Sequence, residues 1–388
     1  MGERVGIIGI GQTDHRFLRP DVNHEEMIHE AVTLALEDAD LTIRDIDTVI
    51  IDNMDLFEGH YLSDAMVVDG AGMYLRPGLK MNTGGTSGAT AVAAGWHHIA
   101  SGVFGTALVI GWQKQDAAPS IASLVTAREP FYDRGMAAGA VGIFATMGLS
   151  YMEETGCREE HAALARVIMA DNARRNPHAH LKLELTVEDV LHSRVLVWPV
   201  RLLHMSPTSC GACALILANE KRSKKGAKPP VWIRDMETAH REVSVFRGGC
   251  VEPHPAPSAI EVASTRLYRR NGITRPARDI DVWELYTPSS WALFPWMELF
   301  SICEKGRAWR LVEKEAIRIE GEIPIEPSGG VVSTNPIGAS GVIRVAEAAL
   351  QLRGEAGDRQ VGKRAETAIA CAWGAASWIV IFYLSKNP

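Results

Sequence analysis

The sequence predicts an α/β protein built from two duplicated halves, and three observations carry that reading. The turn N-T-G-G-T-S-G at 82–88 returns as N-P-I-G-A-S-G at 335–341; both read Asn-x-x-Gly-x-Ser-Gly, and both open an apolar helical run. R-D-I-D at 44–47 returns at 278–281, each time leading straight into a strand-like segment, T-V-I-I-D and V-W-E-L-Y. T-A-L-V-I-G-W at 106–112 is matched by T-A-I-A-C-A-W at 367–373. Three blocks repeated in one order point to an internal duplication. The halves are expected at 1–228 and 229–388.

The elements follow in order. Val5 to Gly11 is a short Ile- and Gly-rich run, consistent with a buried strand. Asn23 is placed to cap a helix whose apolar residues Met27, Ile28, Ala31, Val32, Leu34 and Ala35 recur at helical spacing. A polar turn then enters the strand T-V-I-I-D, and strand–helix–strand at these lengths implies parallel pairing. Helices over Ala89 to Ala100 and Val342 to Leu352 end near Gly102 and Gly354, each able to serve as a C-cap. Ala259 to Tyr268 is helical in pattern. A stretch from about 113 to 200 has no repeat partner, and an insertion of that length in a compact fold suggests a lid or binding loop.

Composition narrows the function classes. The 388 residues, 46% apolar and 22% charged, suit a soluble globular protein with a large core, either two modest domains or one large two-part domain. A net charge of −7 argues against nucleic acid as a partner, since phosphate binding needs clustered Lys and Arg. No apolar run reaches the ~18 residues of a membrane span, and the N-terminus runs straight into a strand, so no signal peptide is expected. Six cysteines in a chain this long suggest a reducing, cytoplasmic setting. Cys210 and Cys213 have the spacing of half a zinc knuckle, but no second pair completes four ligands, and S-C-G-A-C-A-L-I-L reads as a buried strand. No metal is expected in this chain.

With these residues in view, the chain resembles the thiolase superfamily, in its sterol-carrier-protein-type and archaeal branch. The likeness spans nearly the whole chain and rests on N-P-I-G-A-S-G, S-G-G at 328–330, E-L-Y at 284–286 and C-A-W-G at 371–374. It implies a five-layer α/β/α/β/α fold with an inserted loop domain, a homodimer core, and coenzyme A thioesters as substrates. Partner-dependent members such as benzoylsuccinyl-CoA thiolase imply a small zinc-ribbon/OB-fold partner subunit. N-A-R-R-N-P-H-A at 172–179 resembles a stretch near the CoA entrance, which makes Arg174 and Arg175, with Lys182, candidates for the CoA phosphates; charge runs are also ordinary solvated faces. Ser340 is a further cofactor-binding candidate.

The catalytic positions carry over unevenly. Where the family places a nucleophilic Cys at a helix start, this chain has Gly85, so the turn offers backbone amides at Gly85 and Thr86, with Gly374 opposite, as an oxyanion site. Asn335 replaces the family's His; it is either catalytic or a helix cap. Tyr286 takes the position that polarises the thioester or orients a water. Cys371 matches the family's acid/base cysteine, although most cysteines in such strands are core residues. Cys250, in R-G-G-C-V-E, is an outside candidate for a relocated nucleophile. His204 and His254 are near prolines, where one could line a pocket. W-A-L-F-P-W at 291–296 suits either an acyl pocket or core packing, with helical spacing favouring the core.

The resemblance implies an enzyme that makes or breaks the carbon–carbon bond of a β-oxoacyl-CoA by acyl transfer to CoA, without the usual first Cys. Two alternatives stand beside it: retro-aldol cleavage of a β-hydroxyacyl-CoA, and a non-catalytic acyl-CoA-binding subunit of a complex.

Overall fold

The computed structural model describes residues 2–58, 62–116, 119–127, 131, 139–241, 257–362, 365–374 and 378–388. The first half runs β1 (Val5–Gln12), α1 (His24–Ala39), β2 (Thr48–Asp52), β3 (Gly78–Met81), α2 (Ser87–Ala100) and β4 (Thr106–Lys114). The unrepeated stretch holds α3 (Ser120–Val125), α4 (Gly139–Thr155), α5 (Glu159–Arg174), α6 (Val187–His192) and the hairpin β5 (Val195–Val197)–β6 (Val200–Arg201). β7 (Cys210–Asn219) and the short α7 (Glu220–Ser223) follow. The second half is β8 (Val231–His240), α8 (Ala259–Asn271), α9 (Pro276–Asp279), β9 (Val282–Glu284), α10 (Ser290–Leu299), α11 (Ala308–Glu313), α12 (Ser340–Arg353), β10 (Thr367–Gly374) and β11 (Trp378–Ser385).

Strand order displays the duplication. Nine strands pair as β3-β2-β4-β7-β1-β8-β11-β10-β9. Read outward from the β1–β8 junction, the first half gives β1, β7, β4, β2, β3, and the second gives β8, β11, β10, β9. An isolated parallel bridge from Trp283 to Ile325 then stands where β3 stands in the first half. β2 pairs parallel with β4 and β9 with β10, while β7 and β11 run antiparallel to their neighbours. Within the sheet, the halves join through Val5–Ile7 paired against Val231–Ile233.

Helices complete five layers. α1 packs on β1, β7 and β4, and α8 packs on β8 and β11, while α2 and α12 lie between the halves and touch strands of both. α1 carries the expected cap: Asn23 accepts from Glu26 N at 2.8 Å, and Glu26 accepts from Asn23 N. Its buried stripe is Met27, Ile28, Ala31, Val32, Ala35 and Ala39; Leu34, which the spacing placed in that stripe, instead lies 40% exposed. Gly102 and Gly354 both take positive φ just beyond their helices.

The repeated R-D-I-D has a physical reason. Asp47 accepts from Gly105 N and Thr106 N, which start β4, and Asp281 accepts from Glu366 N and Thr367 N, which start β10. Each aspartate fastens the strand pair of its half by two charge-assisted bonds. The unrepeated stretch packs onto the second half, with α4 and α5 against α10 and α5 against α11. Among the described residues no helix is long and apolar enough to cross a membrane, and no group of three or more His, Cys, Asp or Glu could hold a metal ion.

Candidate active site

The two repeated turns face each other at the centre of the molecule. A Cβ on Gly88 would lie 2.7 Å from Gly338 O, and one on Gly341 would lie 2.2 Å from Ala89 N. The starts of α2 and α12 therefore touch backbone to backbone, which only glycine permits. The turn hydroxyls brace this arrangement. Ser87 Oγ donates to Gly84 O at 2.6 Å and Thr86 Oγ1 to Thr83 O at 2.7 Å, while Ser340 Oγ donates to Asn335 Oδ1 at 2.9 Å. These hydroxyls hold the turns and are engaged.

Each turn also reaches the strand ends of the opposite half. At α2, a Cβ on Gly85 would lie 2.8 Å from Trp373 O, 3.2 Å from Gly374 Cα and 3.3 Å from the Tyr286 hydroxyl. At α12, a Cβ on Gly338 would lie 2.7 Å from Trp112 O, 2.7 Å from Gln113 Oε1 and 3.1 Å from Asp52 Oδ1. The two environments correspond position by position under the internal repeat: Trp373 to Trp112, Gly374 to Gln113, Tyr286 to Asp52. The Tyr286 hydroxyl thus adjoins the volume a side chain at 85 would need. Replacing Gly85 by Cys should not restore a nucleophile. The added Cβ meets a backbone carbonyl, and overpacking of this kind costs about 1–3 kcal/mol. The expected result is a lower Tm in differential scanning calorimetry and no acyl adduct by mass spectrometry.

The repeat mate of Tyr286 gives a separate stability prediction. Asp52 is fully buried, and neither carboxylate oxygen has a hydrogen-bond partner among the described residues. Burial pushes its carboxyl well above the ordinary range, favouring the neutral form in the folded chain. With a raised folded value, the unfolded chain loses its proton first as pH rises, and folding is progressively opposed above the ordinary carboxylate range. Asp52→Asn should flatten that decline, measured as urea midpoint against pH.

Behind the Tyr286 side lies a buried polar network. Glu284, on β9, accepts from Ser328 N at 3.1 Å, from Ser328 Oγ at 2.8 Å, and from Arg344 of α12 in a short ion pair. Glu326 accepts from Thr287 Oγ1 at 2.5 Å, while its second oxygen has no partner among the described residues. Glu326 also holds positive φ, 49°. Burial raises both carboxyls, Glu284 to about 7 and Glu326 to about 8, against the pull of Arg344. Cys371 is 1% exposed on β10, and burial pushes its thiol far up despite a hydrogen bond to the Tyr286 backbone. Burial likewise holds the Tyr286 phenol neutral, with Arg344 opposing.

The structure sorts the sequence candidates. Tyr286, Cys371, Gly374 and the Gly85–Thr86 turn come together. Asn335 has its side chain engaged, accepting from Ser340 Oγ and donating to Ser206 Oγ at 3.1 Å, but it is not the helix cap, since α12 starts after Ala339 with no side-chain cap. Ser340 is buried, and its hydroxyl is engaged with Asn335 Oδ1 and Pro336 O. Arg174 and Arg175 lie on the surface at the end of α5, paired with Glu184 and Glu320. Their neighbours Asn172 and Asn176 turn inward instead, donating to Glu326 O and Ser328 O at 3.1 and 3.0 Å. Lys182 is bonded locally to Pro177 O. His204 is buried, accepts from Trp291 Nε1 at 3.1 Å, and is held neutral by burial at about 3. Cys250 and His254 lie outside the described residues. The 291–296 aromatics are core, with Trp296 set edge-on to Trp373 at 5.3 Å.

Glu326 and the Glu284–Arg344 pair were not found from sequence. The only signal was their company: a charged residue two before S-G-G, one inside E-L-Y, and an Arg inside the apolar run V-I-R-V-A.

Comparison with known proteins gives the following matches. Residues 251–381 match the family model described as Thiolase C-terminal domain-like. An acetyl-CoA acetyltransferase of Methanothermobacter thermautotrophicus is 31% identical over 364 residues, 92% of this chain and 93% of the relative. Sterol carrier protein 2 of Oryctolagus cuniculus is 28% identical, over 92% of this chain and 68% of that protein. Among solved structures, the Ltp2-ChsH2(DUF35) aldolase superposes with a TM-score of 0.84 at 21% identity, covering 100% of this chain and 99% of that one.

Proposed function

The chain belongs to the thiolase superfamily, and from that premise we propose that it makes or breaks the carbon–carbon bond beside an acyl-CoA thioester without an acyl-enzyme, as an aldolase on β-hydroxyacyl-CoA. The observation that carries this is the Tyr286 hydroxyl standing beside Gly85, where a nucleophile's side chain would need to fit. An acyl-transfer cycle needs a nucleophile to hold the acyl group, whereas an aldol cycle needs an acid/base at the β-oxygen and a stabilised enolate.

The geometry supports the following roles. A Cβ on Gly374 would lie 2.6 Å from Thr86 N and 2.7 Å from Gly85 N, so only glycine lets the end of β10 pack this closely on the turn. In this reading the thioester oxygen is held at this turn, at the positive end of the 14-residue α2. In the synthetic direction the enolate carbon attacks a carbonyl, and Tyr286 gives its proton to the forming alkoxide. In cleavage the steps reverse: the tyrosinate takes the β-hydroxyl proton, the carbon–carbon bond breaks, and its electron pair enters the enolate. Cys371 then protonates the enolate carbon and releases the shortened acyl-CoA.

Names among the relatives extend the proposal. The two-component name of the Ltp2-ChsH2(DUF35) aldolase supports including a small partner subunit beside a homodimer core. The acetyl-CoA acetyltransferase relatives favour a second reading, thiolysis with Cys371 as the acyl carrier. Its burial and raised thiol weigh against that role. The test supplies β-hydroxyacyl-CoA and β-oxoacyl-CoA substrates, each with and without free CoA, to the chain alone and with a candidate small subunit. Aldehyde or ketone release independent of CoA supports the aldolase; cleavage only with CoA supports thiolysis; no turnover under any condition returns the non-catalytic subunit.

A further inference from the structure

We propose that the turn before α12 is a second carbonyl-binding site, the duplicate of the one at α2, and that the carboxamide of Gln113 is its resident ligand. The class of molecule this site takes is a small primary carboxamide. The inference goes beyond the acyl-CoA reading and does not depend on the reaction.

The internal repeat fixes the correspondence. Gly338 stands for Gly85, Asp52 for Tyr286 and Gln113 for Gly374. At α12 the carbonyl contact is present in the chain itself. Gln113, at the end of β4, turns its Oε1 to the turn, where it accepts from Gly338 N at 3.1 Å and from Met54 N at 3.3 Å. Its Nε2 donates to Glu58 Oε1 at 2.5 Å, so both ends of one fully buried carboxamide are held. The acceptor is a neutral, planar carbonyl oxygen at the positive end of the 14-residue α12. In the other half Gly374 has no side chain, so no carboxamide reaches Gly85 from that position.

Asp52 is the independent sign of a binding site. Its carboxyl is fully buried, and neither oxygen has a partner among the described residues. It is aimed at the same turn: a Cβ on Gly338 would lie 3.1 Å from Oδ1, and one on Gly111 would lie 2.8 Å from Oδ2. Glycine at both positions leaves the carboxyl its room. An orphaned buried carboxyl is costly where only packing is required. Burial favours its protonated form, so it offers an O–H and not a negative charge, as the buried Tyr286 phenol does beside Gly85. Gln113 satisfies the Gly338 amide and leaves Asp52 unengaged. A free carboxamide is not tethered to β4, and its carbonyl has a second lone pair to turn toward Asp52.

Gln113→Ala removes the carboxamide and opens its place. The Tm should fall, and acetamide should restore at least about half of the loss with saturation, as mass action requires of a ligand bound by the folded chain alone. The wild type, whose site is filled, should not respond over the same concentrations. Acetate should not replace acetamide, because it has no N–H for Glu58 and brings a charge beside two carboxyls. Gln113→Met fills the place with an apolar chain of similar length, and keeps the test open if Gln113→Ala does not fold. It should ignore acetamide. By hydrogen exchange and mass spectrometry, its amides over 335–341 should exchange at least about 10-fold faster than in the wild type, with 24–39 unchanged.

Four results overturn the site: a folded Gln113→Ala that acetamide does not stabilise, one that acetate stabilises equally, a wild type that responds as the variant does, or a Gln113→Met that exchanges at the wild-type rate. No readout here uses turnover, so such a result leaves the acyl-CoA reading standing, and a lack of carbon–carbon cleavage leaves this site standing.

Discussion

Tyr286→Phe is expected to lower carbon–carbon bond cleavage by about 10²- to 10⁴-fold, the range of a lost general acid–base group, while the chain stays folded. The substitution removes one oxygen and keeps the ring, which is 3% exposed. The wild-type pH profile carries the sign. Burial raises the phenol, so cleavage, which uses the tyrosinate as base, should climb with pH without a plateau below the alkaline range. Condensation starts from the same total protonation, neutral Tyr286 beside the Cys371 thiolate, so it should climb in parallel, because the overall reaction takes up no proton. In the variant the climb in cleavage rate should vanish. Steady-state kinetics in both directions, with circular dichroism as the folding control, check this.

Gly374→Ala is expected to cost about 10²- to 10³-fold in turnover, comparable to losing an oxyanion-hole donor. The added methyl would press on the Gly85–Thr86 turn, at 2.7 and 2.6 Å from its amide nitrogens, and so displace the donors. The loss should fall on kcat more than on KM, because the thioester oxygen gains charge only as the enolate forms. A loss confined to KM would mean that those amides bind the ground state alone.

The duplication was legible because each repeated block does a local job that fixes its letters. R-D-I-D recurs because Asp47 and Asp281 each fasten the first residues of a neighbouring strand. Asn-x-x-Gly-x-Ser-Gly recurs because two helix starts touch at Gly88 and Gly341 and need serine braces. What stayed hidden depends on long-range packing. Nothing near Glu326 in sequence says that it meets Thr287, or that Arg344 serves Glu284, 60 residues away. Asn335 reads equally well as a site residue or as a helix cap, and only the structure shows its side chain bonded to Ser340 and Ser206 while α12 has no side-chain cap. Arg174 and Arg175 followed from the resemblance of 172–179 to a stretch near the CoA entrance, whereas the structure turns Asn172 and Asn176 inward and pairs the arginines with surface glutamates.

The central claim is carbon–carbon bond chemistry with no acyl group carried on the protein. Intact-protein mass spectrometry during turnover of a β-hydroxyacyl-CoA, with no free CoA present, tests it most directly. The chain's mass should stay unchanged while the carbonyl product and the shortened acyl-CoA accumulate. An acyl increment on Cys371 or any other thiol, with product released only once CoA is added, would contradict it.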